Sequence, residues 1–420
     1  MKKQISVGIV GLGKRGICLA DLCLSEMPDV RIDWLCDVSE EALAATRDML
    51  EKKGYPYTPK MTKDYRDVVA DKHVDAVLAL GGWDMHMSVA RASLLAGKYT
   101  AIEVGCAYDI SECWALVDAS EATGAPLMML ENDCYDRRVL TALHMAKLGL
   151  FGEIVHCDGA YRHYLAEYDL FRDASTEHLP YRLWEYVYRN AHQYPTHDLG
   201  PAAKILNINR GNRFMTLVSV ASKARGLADY AARTFGEESE FAKIPYRQGD
   251  IVTTVLTCAG GETVTLNLDT SLPRPNHLQD FCVRGTRGMC SENLKNFYLL
   301  GMDDWHTFNE DEFFKQYDHP IHREVQEKGV RGYHGGIDWI TLRAFIESVK
   351  NGTNTPIDVY DTATLLSIGA LSEASIAKGG APVEVPDFTR GKWFRREPAV
   401  RQKYSLDLIV DDPDTPVYPE

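Results

Sequence analysis

Residues 194–201 read Tyr-Pro-Thr-His-Asp-Leu-Gly-Pro, which sets Tyr194 and His197 three residues apart just ahead of Gly200-Pro201. An imidazole with a pKa near ~6.5 is largely neutral at pH 7 and can take a proton from a reacting group. A histidine entering a helix is also a common cap or surface residue, and Gly200-Pro201 alone marks only a first helical turn. What the cluster does depends on the elements that bring it to a ligand, and these begin far upstream.

The chain opens with an apolar run of strand length, residues 5–10, leading into Gly11-Leu12-Gly13-Lys14-Arg15-Gly16. Ile17, Ala20 and Leu24 then recur at helical spacing. In this strand–loop–helix context Gly11, Gly13 and Gly16 permit a tight turn and a close approach to a pyrophosphate, while the helix N-terminus attracts the anion. A second strand, 31–36, ends at Asp37. A carboxylate there accepts the adenosine ribose hydroxyls and repels a 2′-phosphate, so NAD is expected rather than NADP.

Further strands at 74–80, 99–103 and 127–131 alternate with helices at 87–96 and 111–123. Such alternation predicts a doubly wound parallel sheet, with ligands beyond the C-terminal ends of its strands. That rule places Asp37, Trp83, His86, Glu103 and Asn132 on one rim. From residue 154 the pattern changes to strands at 154–164, 215–224, 251–258, 263–270 and 280–285, with Ala259-Gly260-Gly261 as a hairpin link. Helices return at 336–350 and 359–377. The expected fold is α/β, a dinucleotide-binding domain over 1–133 and an α+β domain with an open, largely antiparallel sheet over 134–390. A tail, 391–420, is expected to be mobile or draping at its end, 411–420.

Composition limits the partners. Among 420 residues, 46 are basic and 60 acidic, giving a formal charge of −14 with no Lys/Arg run. Nucleic acid is therefore not an expected partner. Ten cysteines without a C-x-x-C pair or zinc-like spacing predict buried, reduced thiols and no metal. No apolar run approaches the ~20 residues that span a bilayer, and the glycine-punctuated start is unlike a signal peptide. A soluble, cytoplasmic protein is expected.

A Rossmann domain followed by an open-sheet domain, with Glu103-Val104 after the strand at 99–103, resembles the Gfo/Idh/MocA oxidoreductase superfamily. Within it the chain is similar to the NAD-dependent glycoside hydrolases of family 109, the α-N-acetylgalactosaminidases. The matching pieces are Gly11–Gly16, Trp83-x-x-His86, Glu103-Val104, Gly-Ala-Tyr-x-His at 159–163, residues 194–201, Asn-Ile-Asn-Arg-Gly at 207–211, His-Gly-Gly-x-Asp at 334–338 and Asp-Val-Tyr-Asp at 358–361. The resemblance implies NAD contacts at Lys14, Arg15, Asp37, Trp83, His86, Glu103, Val104 and Asn132. It implies sugar contacts at Tyr161, Arg182, Tyr194 and His197. Gly105 stands where the family usually has proline, Asp198 where it usually has glycine, and Asn276 where it carries a substrate-touching tyrosine.

The resemblance implies a redox-neutral elimination. The sugar gives hydride from C3 to NAD, and the new ketone acidifies the proton on C2. Loss of that proton expels the C1 substituent, water adds, and the hydride returns; ordinary glycosidases use two carboxylates instead. Many superfamily dehydrogenases place a lysine after the glutamate as proton acceptor. Val104 cannot serve, so the duty falls to Tyr161, assigned to C2, and His197, assigned to the C3 hydroxyl, or to the same pair with roles exchanged. A tyrosine titrates near ~10, and lowering it by ~2 units takes roughly 3 kcal/mol of differential interaction. Arg182, His163 or Lys14 could supply it. A net sugar or inositol dehydrogenase on the same fold is the competing enzyme, and a sugar or dinucleotide sensor the non-enzymatic alternative. A homo-oligomer is expected by fold analogy alone.

Overall fold

The strand β1, Ile5–Val10, is buried at every position. Strands apolar on both faces belong in a sheet covered on both sides. In the computed structural model, which describes residues 4–172, 174–175, 179–301, 310–332, 334–396 and 402–407, β1 lies inside a six-stranded sheet. Its companions are β2 (Val30–Cys36), β3 (Lys60–Thr62), β4 (Ala76–Ala79), β5 (Tyr99–Ile102) and β6 (Leu127–Met129), in the order β3-β2-β1-β4-β5-β6. All five neighbouring pairs are parallel. The order reverses between β1 and β4, and a crevice opens at such a switch point. Gly11 sits there with φ +96°, and a methyl group on it would lie 2.3 Å from the Gly81 nitrogen. Only glycine fits where the two loops touch.

The second sheet has eight strands: β7 (Ile154–Arg162), β8 (Phe214–Ala221), β9 (Ile251–Cys258), β10 (Thr263–Asp269), β11 (Cys282–Gly285), β12 (Gly288–Ser291), β13 (Asn296–Leu299) and β14 (Val383–Glu384). Their order is β13-β12-β11-β7-β10-β9-β8-β14. β7 pairs with β10 in parallel, and the other pairs are antiparallel. Burial alternates along β9 and β10, so one face is packed and one is open. The Ala259-Gly260-Gly261 link does join an antiparallel pair. Helix Val359–Ala377 is buried on most of its circumference because it packs against β8 on one side and helix Ile110–Thr123 of the first sheet's domain on the other. The two sheets thus share one core.

Two helix starts differ from expectation. The helix expected at 87–96 runs Trp83–Leu95, since Gly82 is extended and serves as its N-cap. Trp83 and His86 therefore share a first helical turn. Helix Pro195–Ile205 starts at the first proline, not at Gly200-Pro201, with Tyr194 as N-cap. Proline has no N–H to lose at a first helical position, which suits Pro195; Pro201 lies inside the helix. Among the described residues no helix is long and apolar enough to cross a membrane, and the nine described cysteines are free thiols. Residues 411–420 lie outside the described residues.

Helix Pro195–Ile205 crosses β7 at Gly159, where a methyl group would lie 2.0 Å from the Asp198 carbonyl oxygen. Gly159→Ala must push backbone from backbone, and we expect a loss of about 1–3 kcal/mol. A fall in the urea midpoint at constant m measures it; an unchanged midpoint would show that strand and helix do not approach so closely.

Candidate active site

A cavity of about 2510 Å³ lies between the C-terminal ends of the first sheet's strands and the packed side of the second sheet. Gly11, Gly13, Lys14, Arg15, Asp37, Trp83, His86, Glu103, Val104 and Asn132 line it from the first domain. Tyr161, His163, Arg182, Tyr194 and His197 line it from the second. Two expected residues are not at its wall. Gly16 supports the loop from behind, with the Gly11 carbonyl 2.0 Å from where a methyl would sit. Asn276 is exposed, and the next residue, His277, faces the cavity instead. Both residues lie in an irregular loop after β10, whose bend at 275–276 sets which side chain meets the cavity.

The glycine loop is braced by Asp37, whose carboxylate accepts from Leu12 N at 2.6 Å and from Ser39 N at 2.8 Å. Gly13 has no heavy atom within 4 Å of its methyl position, so the loop opens onto free space at the start of helix Lys14–Leu19. Arg15 turns away from that space. Its Nε donates to Glu103 at 2.9 Å, and its two terminal nitrogens bind both oxygens of Asp338 at 2.8 Å. Asp338 is fully buried at the head of helix Ile337–Asn351, and it also accepts from Asn132 at 2.7 Å and contacts His334 Nδ1 at 2.8 Å. Burial would raise its carboxyl, but Arg15 and His334 hold it well below the usual range. Asn132 keeps its Oδ1 buried and unpartnered. His86 meets the Gly81 carbonyl at 3.1 Å, and burial lowers its pKa, so a neutral ring donates to that oxygen.

Across the cavity an aromatic wall forms. Tyr161 stacks on Tyr194 at 4.3 Å, and Tyr194 lies 5.6 Å from Trp83 and 5.1 Å from His197. Gly105 lets the indole of Trp83 close in, since a methyl there would sit 2.5 Å from the ring. The Arg182 guanidinium lies 5.1 Å from the Tyr194 centroid and is itself held by Asp169 and the Tyr181 hydroxyl. The Tyr161 hydroxyl is 3.4 Å from His163 Nδ1, and His163 stacks on His277 at 4.6 Å. Burial raises Tyr161 despite the pull of Arg182. Burial also lowers His277, to about 3, with His163 and His197 adding to the effect.

His197 sits differently from expectation. Its Nδ1 is 2.7 Å from Glu131 Oε1 and 3.1 Å from Asp133 Oδ2. Burial alone would lower it, but the two carboxylates outweigh burial and push it up to about 9. The resting imidazole is therefore protonated at pH 7. Glu131 and Asp133 flank Asn132 at the end of β6, and strand-end reasoning that reached Asn132 did not reach them. Gly200 gives Glu131 its room, because a methyl there would lie 2.8 Å from Glu131 Cγ. The three groups also have the donor types of a metal site, with ligand atoms within 4.8 Å of one another.

Other matching pieces serve as scaffold. Arg210 binds Asp358 and Asp361, and Lys204 binds Asp361 at 2.7 Å and the Pro356 carbonyl at 2.6 Å. This fastens the end of helix Pro195–Ile205 to the start of helix Val359–Ala377. Asp198 accepts from His192 at 2.6 Å behind the cavity, with both side chains fully buried.

A model of the glycosyl hydrolase 109 C-terminal domain matches residues 135–395. An alpha-N-acetylgalactosaminidase of Tannerella forsythia is 37% identical over 423 residues, spanning 94% of this chain and 88% of the relative. The chain belongs to glycoside hydrolase family 109. A family 109 protein of Parabacteroides distasonis is 35% identical over 417 residues, spanning 94% and 89%. In fold, this family 109 chain is similar to levoglucosan dehydrogenase solved with NADH and L-sorbose, at TM-score 0.68 and 20% identity over 92% of this chain and 100% of that one. Its two sheets are arranged as in that dehydrogenase.

Two outcomes follow from the charges at the site. Asp338→Ala leaves the Arg15 guanidinium without its bidentate partner, and we expect a loss of about 3 kcal/mol in unfolding free energy by urea titration. A loss below about 1 kcal/mol would mean the pair is solvated. The raised pKa of His197 makes its stabilisation fully present below about 6.5, its unfolded value, and lost as pH rises through about 9. The stability difference between wild type and His197→Asn should therefore be larger at about pH 6 than at about pH 10; equal differences would deny the shift.

Proposed function

We propose that this protein is an NAD-dependent glycosidase that cleaves by transient oxidation of the sugar, with α-N-acetylgalactosaminides as its substrate class. The substrate class rests on the name of the Tannerella forsythia relative. When bound, NAD supplies a reversible two-electron acceptor for the C3 hydrogen of the sugar. The residues fit it. The open space at Gly13, the helix start behind it, Asp37 at the end of β2 and the unpartnered Asn132 oxygen provide for pyrophosphate, ribose and an amide donor in turn.

The observation that carries the reading is the meeting of Tyr161 and His197 from the second domain, with ring centroids 5.6 Å apart, on a cavity shared with Glu103, Val104 and Asn132. Val104 is buried and apolar, so proton handling falls to the opposite wall. Protonated His197 suits hydrogen bonding to an oxygen that gains negative charge, and it becomes an acceptor once deprotonated. Tyr161 is held as a phenol in the resting site. It needs Arg182 and a deprotonated neighbour to work on the C2 proton. The aromatic wall of Tyr161, Tyr194 and Trp83 offers apolar faces to a pyranose ring. Free thiols fit a cytoplasmic setting. Val220, Ile251 and Val255, exposed on the second sheet, fit a homo-oligomer.

The test uses 4-nitrophenyl glycosides of several sugars with catalytic amounts of NAD. Aglycone release without net reduction of NAD is expected. Net reduction without cleavage would instead assign a sugar dehydrogenase. Tyr161→Phe should slow turnover by on the order of 10²-fold and suppress solvent exchange at C2; exchange at the wild-type rate would remove Tyr161 from that step.

A further inference from the structure

The proposed oxidation releases a proton from the C3 hydroxyl, and the site must put it somewhere. Val104 is apolar and Tyr161 is a phenol. The acceptors near His197 are two carboxylates, and they are not equivalent. Glu131 is fully buried, and its Oε1 accepts both from His197 Nδ1 at 2.7 Å and from Asp133 N at 3.0 Å. That oxygen fixes the ring and leaves Nε2 for the cavity. Asp133 Oδ2 lies 3.1 Å from the same Nδ1, accepts from Gln279 Nε2 at 2.8 Å, and sits at the cavity wall with its side chain 12% exposed. It can return a proton to water there.

Resting on the functional reading above, we propose that Asp133, reached through the His197 imidazole, is the terminal acceptor of the proton leaving the sugar's C3 hydroxyl. The C3 O–H bond breaks as Nε2–H forms, and Nδ1–H breaks as Oδ2–H forms on Asp133. The imidazole is neutral before and after, and the charge that disappears is that of Asp133. The electron pair of the C3–H bond leaves with its hydrogen for the nicotinamide.

The surroundings favour Asp133 as a holder of protons. Burial raises its pKa, Glu131 and Asp136 raise it further, and His197 opposes them. The other titratable groups facing the trio are Glu103 after β5, Tyr161 on β7 and His163 just after it, Arg182 on helix Tyr181–Tyr188, Tyr194 at the N-cap of helix Pro195–Ile205, Cys134 beside Asp133, and His277. The relay needs the deprotonated imidazole, so the oxidation rate should fall as pH drops through the His197 titration.

Asp133→Asn keeps the side-chain shape and removes the charge. Two readouts on the full-length protein separate the cases. In the first, the nitrogen resonances of His197 are titrated without sugar in both proteins, and the variant's midpoint should fall below that of the wild type. In the second, reduced nicotinamide is followed by stopped-flow after mixing NAD-loaded protein with 4-nitrophenyl α-N-acetylgalactosaminide. The acid limb should move to lower pH, and the high-pH plateau should drop by on the order of 10²-fold. A shifted limb with a wild-type plateau would make Asp133 an electrostatic tuner and overturn the proposal. An unmoved His197 midpoint would overturn it too. Asp133→Ser must give the same two changes, which covers failure of the first variant to fold. If the wild type reduces no NAD with any glycoside, the functional reading falls and takes the relay with it, while the resonance titration still reports whether the pair exists.

Discussion

The site depends on where Arg15 spends its charge. Its guanidinium lies between Glu103, after β5, and Asp338, at the head of a helix 323 residues further along the chain. Desolvating such a pair is favourable only when the remaining lone pairs are satisfied. Here Asn132 and His334 complete the shell of Asp338. One interaction therefore fixes the helix start behind the glycine loop, the ends of β5 and β6, and the docking of helix Ile337–Asn351. The arginine beside the glycine loop ties the strand ends of the first sheet to a helix that packs against that sheet's own elements.

Electrostatics then invert the simplest reading of the proton donors and acceptors. Taken as isolated side chains, a histidine is the base and a tyrosine needs help to become one. In the folded site both carry their protons, His197 because Glu131 and Asp133 outweigh burial, Tyr161 because burial outweighs Arg182. His163 is instead pulled down by burial and by Arg182, and His277 by burial and by His163 and His197. Neighbouring imidazoles on one wall thus differ in charge state. Carboxylate contact decides which one is charged.

Much of this was legible in the sequence. The strand–loop–helix context of Gly11–Gly16 and the strand-end rule located Asp37, Trp83, His86, Glu103 and Asn132 because parallel sheets present their C-terminal ends to one crevice. Short-range rules did not find Asp338, Glu131 or Asp133, whose roles come from pairings far apart in sequence. The exchange of Asn276 for His277 turned on side-chain direction in an irregular loop. The Asn-Ile-Asn-Arg-Gly and Asp-Val-Tyr-Asp pieces matched a family pattern yet serve as a buried ionic scaffold, so motif specificity and chemical role are separate properties.

On the proposed reading, proton duty moved away from position 104 carries a structural cost that close packing elsewhere offsets. A lysine on the cofactor domain would travel with the cofactor. Tyr161 and His197 come from the second sheet's side of the cavity, so slippage between the two sheets would separate the proposed acid–base groups from the ring they would serve. Misplacement by about 1 Å is enough to cost on the order of 10²-fold in rate. The molecule answers at one point: Gly200 lets helix Pro195–Ile205 press onto Glu131, which follows β6 of the first sheet. Because His197 is oriented by that same Glu131, the imidazole is registered to the cofactor domain although its backbone lies outside it.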